Sequence, residues 1–165
     1  MRIARLALIA FAAVVLDAAL APEIEIAGAR PDFLVMVVVY GSLIMGARAA
    51  TIAGFLVGLA ADAEMPEYLG LNALALSATA YATSGLWSHF VRTNVLVQCL
   101  VLFAGSLMHD AIYYLFYYRN HLDMFGRFLV RFGVPGGLYT AAFGALVFLI
   151  ARTRNWRAVA GGAHR

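Results

Sequence analysis

From Ala49 to Tyr81 the chain reads AATIAGFLVGLAADAEMPEYLGLNALALSATAY, two apolar runs joined by a short acidic connection. Gly54, Gly58 and Asp62 recur every four residues, so on a helix they share one face, two small residues leading to a carboxylate. Such a face can lie very close to a neighbouring helix. Beyond the connection, Leu69-Gly70-Leu71-Asn72 opens the second run, and the side-chain amide of Asn72 is placed to bond the backbone groups freed where a helix begins. Gly54, Gly58, Asp62, Gly70 and Asn72 are therefore read together as a packing face, either within the fold or toward a partner's helix.

The rest of the chain is as apolar as this stretch. Of its 165 residues 64% are hydrophobic and 13% charged, with a mean hydropathy of +0.84, more apolar surface than a soluble domain can bury. An integral membrane protein is expected. All 12 basic residues are arginine and the net charge is +3. Those arginines fall in loops and tails, which points to membrane topology and away from a nucleic-acid partner. The single cysteine, Cys99, lies inside an apolar run; it excludes an intramolecular disulfide and a Cys-rich metal site and is read as packing.

The first run, residues 3–21, follows Arg2 and Arg5 and ends Ala19-Leu20-Ala21, the layout of a cleavable signal peptide. Pro22 directly after that point and Asp17 within the run argue instead for a retained first span, with Ala4, Ala7, Ala10 and Ala13 as a small-residue stripe. Pro22 to Asp32 is a polar connection whose Pro31 suits the first turn of the next helix. The 29 residues from Phe33 to Ala61 are too many for one comfortable span and too few for two full ones. A single helix would hold Arg48 near the bilayer centre, at a cost of at least ~2.5–3.5 kcal/mol. Two short helices, 33–46 and 49–61, are expected, with Arg48 in the turn beside Gly46. They imply local thinning of the bilayer or cover by neighbours.

A fourth span, 69–87, closes at Trp87, and a fifth, 94–118, ends in the aromatic group Tyr113, Tyr114, Phe116, Tyr117 and Tyr118, suited to the membrane interface. Between residues 122 and 132, Asp123, Arg127 and Arg131 share one helical face while Leu122, Phe125, Leu129 and Phe132 fall largely on the other. That pattern predicts an interfacial helix. The sixth span, 133–151, has Pro135 in its first turn and Gly133, Gly137, Ala141 and Ala145 at four-residue spacing, a second packing stripe. An arginine-bearing tail follows. The expectation is one all-α domain over residues 1–165, a six-helix transmembrane bundle.

Charge orients the spans. With the N-terminus in the cytoplasm, the inner segments hold Arg2, Arg5, Arg48, Arg92, Arg152, Arg154, Arg157 and Arg165 and no acid, whereas the outer ones hold Glu23, Glu25, Asp32, Asp62, Glu64, Glu67 and Asp123. Only Arg30, Arg119, Arg127 and Arg131 oppose the positive-inside rule. By that rule both termini are expected to be cytoplasmic.

Catalysis needs a nucleophile with a base, an acid with a base, or a metal cluster, converging in a cleft. The sequence presents no such set, so no catalytic residue, metal ligand or cofactor is expected. His109 and Asp110 are neighbours in the fifth span, but adjacent helical residues point about 100° apart and are not expected to pair by themselves. Asp110 is a functional candidate because an unpaired carboxylate in the membrane is costly. Its structural reading is a bond to a Ser, Tyr or His on another helix. Asp62 and Asp17, near helix ends, are read as solvated.

The run Arg30-Pro31-Asp32-Phe33 with its helix ending at Tyr40, then Gly54-Phe55-Leu56-Val57-Gly58-Leu59-Ala60-Ala61-Asp62, then Leu69-Gly70-Leu71-Asn72-Ala73-Leu74-Ala75 with Tyr81, resembles the bacterial rod shape-determining membrane protein family MreD. The resemblance covers the whole length, including the Asp in the fifth span, the Pro near the start of the sixth and the basic tail. It implies a non-enzymatic subunit of the cell-elongation machinery in the inner membrane. The implied partners are MreC, the MreB filament, a SEDS glycosyltransferase and a class B penicillin-binding transpeptidase, with membrane lipids around them and no nucleic acid. It further implies a fold similar to the substrate-binding subunits of energy-coupling-factor transporters, hence an alternative function as a small-molecule-binding transport subunit. Those subunits commonly carry Ala-x-x-x-Ala on the first helix, whereas alanines here recur every three residues. A third class, an intramembrane enzyme acting on lipid, would need a convergent polar cluster that the sequence does not assemble.

Overall fold

The computed structural model describes residues 2–26, 28–63, 66–86, 94–119 and 121–162. Glu64, Trp87, His89, Arg92 and Arg165 lie outside them, as do the side chains of Arg2, Arg5, Ala4, Ala7, Ala10, Asp123, Arg152, Arg154 and Arg157. Helix α1 is Arg2–Ala19, α2 Phe33–Met45, α3 Ala47–Asp62, α4 Leu71–Leu86, α5 Val95–Tyr117, α6 Leu122–Phe128 and α7 Val134–Gly162. A 3-10 turn, Pro66–Tyr68, precedes α4, and a π turn, Leu129–Gly133, links α6 to α7. Among the described residues the only extended pairing is the bridge between Ile26 and Ala29.

Gly46 breaks the second apolar run, with φ 75 and ψ 164, a conformation that residues with a Cβ rarely adopt. Arg48 then sits exposed in the first turn of α3. The two helices have 13 and 16 residues, about 20 and 24 Å at 1.5 Å per residue against a hydrocarbon core of about 30 Å.

Short α2 is the centre of the bundle. Phe33, Leu34, Val35, Met36, Val38 and Val39 are all buried, and the helix packs against α1, α3, α4, α5 and α7. Outside it the polarity is inverted: Phe11, Ile52, Leu56, Leu96, Leu100, Leu138 and Ile150 are exposed on the surrounding helices, a surface matched to hydrocarbon. Val95–Tyr117 and Met124–Ile150 are each long and apolar enough to cross a bilayer.

Three boundaries differ from the sequence expectation. Pro31 is buried just before the helix, not in its first turn, because Asp32 takes the capping position of α2. The stretch 122–132 is no separate interfacial helix; it runs through the π turn straight into α7. Pro135 supplies the reason: it has no N–H for the Arg131 carbonyl, and the N–H of Val134 reaches back five residues to Leu129 O. Finally, α7 continues to Gly162, past the end expected near residue 151.

Both small-residue stripes face inward. A Cβ on Gly58 would lie 2.5 Å from the N and Cα of Ala73, and one on Gly54 2.8 Å from Leu76 O. The stripe of α3 is thus seated on the backbone of α4. On α7, a Cβ at Gly137 would lie 3.1 Å from the Phe103 ring and one at Gly133 3.0 Å from Leu129 Cδ1 and 3.2 Å from Asp110 Oδ2. Ala141 is buried between them and the end of the seam. A further close approach is at Gly144, against Leu102, where the Tyr40 hydroxyl donates to Gly144 O at 2.8 Å.

Candidate functional site

Three carboxylates hold helix starts at one end of the bundle. Asp62, 2% exposed at the end of α3, accepts from the backbone N–H of Gly70 (2.9 Å), Asn72 (3.0 Å) and Ala73 (3.1 Å). It thereby satisfies orphan donors of α4 and places a negative charge at the positive end of its dipole. Gly70, with φ +96, turns the chain so that these N–H groups converge. This corrects two expectations: Asp62 is not a solvated end, and Asn72 does not cap α4 with its side chain. Asp32 caps α2 through Oδ1, accepting from Val35 N at 2.7 Å. Its own N–H donates to Thr140 Oγ1 at 2.9 Å, and that hydroxyl donates to Gly136 O at 2.8 Å. Asp17 reaches over from α1 and accepts from Phe33 N at 3.1 Å, so it too is tied down where solvation was expected.

The freed amide of Asn72 meets a histidine. His109, 6% exposed, places Nε2 3.3 Å from Asn72 Oδ1. Its Nδ1 lies 3.2 Å from Asp110 Oδ1 and 3.5 Å from Asp32 Oδ2. Contrary to the helical-wheel argument, His109 and Asp110 do pair. The wheel describes Cα–Cβ directions, and Nδ1 is close enough to the backbone for a rotamer to swing it toward the next carboxylate. Asp110 consequently bonds a histidine of its own helix, not a group on another. Burial pushes the Asp32 carboxyl above its ordinary range.

These groups line a cavity of about 500 Å³. Asp17, Asp32, Asp62, Asp110, Asn72 and His109 form its polar wall, with Arg30 at the rim. The opposite wall is aromatic. Tyr68 and Tyr117 lie 4.6 Å apart, Tyr117 and Tyr113 stack at 5.8 Å, and Tyr113 stacks on His109 at 6.1 Å. Phe128 joins Tyr118 at 4.7 Å to Phe132 at 5.3 Å, and Phe132 in turn covers Gly28, where a Cβ would lie 2.7 Å from the ring. Most of the aromatic group at the end of α5 therefore lines the cavity, while Phe116 points outward.

Of the residues singled out from the sequence, Asp62, Asn72 and Asp110 line the cavity. Gly70 donates its N–H to Asp62, and a Cβ at Gly133 would lie 3.2 Å from Asp110 Oδ2. Gly54, Gly58, Gly137 and Ala141 instead belong to the seams. Sequence reasoning missed Asp32 and His109 as partners. Ligand atoms of Asp32, His109 and Asp110 all lie within 4.8 Å of one another, although no metal set was expected. Asp32 belongs to a different helix, and no local spacing relates it to residues of α5.

No curated protein and no solved structure matches the chain, so the implied likeness to energy-coupling-factor subunits has no solved counterpart behind it. The family of rod shape-determining protein MreD matches over residues 2–153. That match covers every helix around the cavity, and with the apolar outer surface it leads to one conclusion: the chain belongs to the MreD family of rod shape-determining membrane proteins.

Proposed function

We propose that this protein is a non-enzymatic subunit of the rod-shape complex, scaffolding peptidoglycan synthesis with MreC and MreB, and with a SEDS glycosyltransferase and a class B penicillin-binding transpeptidase as further members. The observation that carries the non-enzymatic part is how the polar groups are spent. Asp62 gives its carboxylate to three backbone donors of α4, and Asp32 and Asp17 each hold a donor at the start of α2. Both ring nitrogens of His109 face Asp32, Asp110 and Asn72 oxygens, which leaves neither to activate the nearby hydroxyl of Ser106 as a nucleophile. The buried polar side chains serve to fix four helix ends in one arrangement, as a subunit that presents surfaces to partners requires. The transport-subunit alternative rests on fold likeness alone.

The same reading sets the protein in the inner membrane with the acidic end outside and both termini in the cytoplasm. Reporter fusions after Arg48 and Arg157 should read cytoplasmic and a fusion after Glu25 external. Depletion in the native host tests the function: rods should round up, and MreC should co-purify with the tagged protein. Cells that keep their rod shape without it would refute the reading.

A further inference from the structure

We propose that Asp32, His109 and Asp110 bind one divalent transition-metal cation, with Zn²⁺ as its probe. One ligand atom each of Asp32, His109 and Asp110 lies within 4.8 Å of the other two, with His109 Nδ1 3.2 Å from Asp110 Oδ1 and 3.5 Å from Asp32 Oδ2. The other ring nitrogen is turned to Asn72 Oδ1 at 3.3 Å. With Nε2–H donated there, the Nδ1 lone pair points at the two carboxylates. Metal-ligating histidines are held in this way, the second nitrogen fixed to an oxygen behind the ring. A proton or a metal ion can sit between these atoms.

The spacing accommodates a metal. Nδ1 stands 3.2 Å from Asp110 Oδ1 and 3.5 Å from Asp32 Oδ2, longer than the roughly 2.7–2.9 Å of a charge-assisted hydrogen bond. Ligands about 2.1 Å from a tetrahedral centre are separated by about 3.4 Å, and the two observed separations straddle that edge. The donors are also held from behind. Asp32 is fixed by its bonds to Val35 N and Thr140 Oγ1, and Asp110 Oδ2 lies beside Gly133, 3.2 Å from where a Cβ would stand. One imidazole and two carboxylates suit a borderline cation such as Zn²⁺. Three protein ligands leave a fourth position facing the cavity of about 500 Å³, where water or an oxygen of a bound molecule completes the shell. Such an ion would tie the start of α2 to α5.

The test uses the full, untagged chain in detergent, stripped with EDTA and titrated with Zn²⁺ by calorimetry, then with Co²⁺ followed by visible absorption. The wild type is expected to take up one more ion per chain than Asp110→Asn, and Co²⁺ to give the intense bands of four-coordinate N and O ligation. Asn72→Ala, which removes no ligand, should weaken binding roughly 10- to 100-fold. Helicity and elution volume establish that each variant is folded. Absence of saturable binding to the wild type, or equal binding to a folded Asp110→Asn, overturns the site. Should Asp110→Asn not fold, Asn72→Ala decides alone, and affinity equal to that of the wild type overturns it.

Discussion

The two glycine-bearing seams share a four-residue spacing, yet different atoms stand opposite them. On α3 the glycines meet main chain: Ala73 N and Cα before Gly58 and the Leu76 carbonyl before Gly54. On α7 and the turn before it they meet side chains, the Phe103 ring before Gly137 and the Leu129 methyl before Gly133. A ring or a methyl can rotate aside, whereas a helix backbone can yield only if the whole helix moves. Spacing therefore announces that a helix is approached closely, but tolerance to substitution is set by whether the neighbour can move.

This difference orders the expected stabilities, measured by unfolding in one detergent. Gly58→Leu comes first, at about 3 kcal/mol or more, because even its Cβ overlaps Ala73 and α3 must part from α4. An equal loss from Gly137→Leu would erase the distinction. Asp62→Ala should follow at about 2 kcal/mol, since it strands three N–H groups beneath the same seam. Asp62→Asn, keeping one acceptor, should recover part of that loss. Gly54→Ala is expected to cost about 1–2 kcal/mol against the Leu76 carbonyl. Gly137→Ala, answered by a small turn of Phe103, should stay under about 1 kcal/mol. If the last two came out in reverse order, backbone contact would not be the deciding variable.

Much of the architecture is legible in the chain because it is local. The Arg48 penalty and Gly46 place the break between α2 and α3, and the apolar runs mark the six long helices to within a few residues, save at the C-terminal end of α7. The site is less legible. Asp62 reaches residues 70 to 73 across a connection, Asp32 meets His109 across the bundle, and the pairing of His109 with Asp110 depends on a rotamer that no helical wheel represents. Asn72 shows the limit most clearly: it is a sound capping residue by type, displaced from that role by a better acceptor, Asp62, ten positions earlier. Pro135 was visible, but its consequence lay upstream, in the turn Leu129–Gly133 that precedes it.

That consequence reaches beyond the helix axis. Each residue of an α-helix advances the side-chain direction by about 100°, so the extra residue in the turn Leu129–Gly133 acts as a phase shifter between the two halves of one rod. Downstream, Gly137, Ala141 and Gly144 keep step with α5; upstream, Phe128 and Phe132 are re-aimed onto the tyrosines and Gly28. Without that slip the rod would stay in register with only one of its two neighbours. The roof of the cavity and the seam beneath it belong to two different helical clocks, synchronised at a single turn.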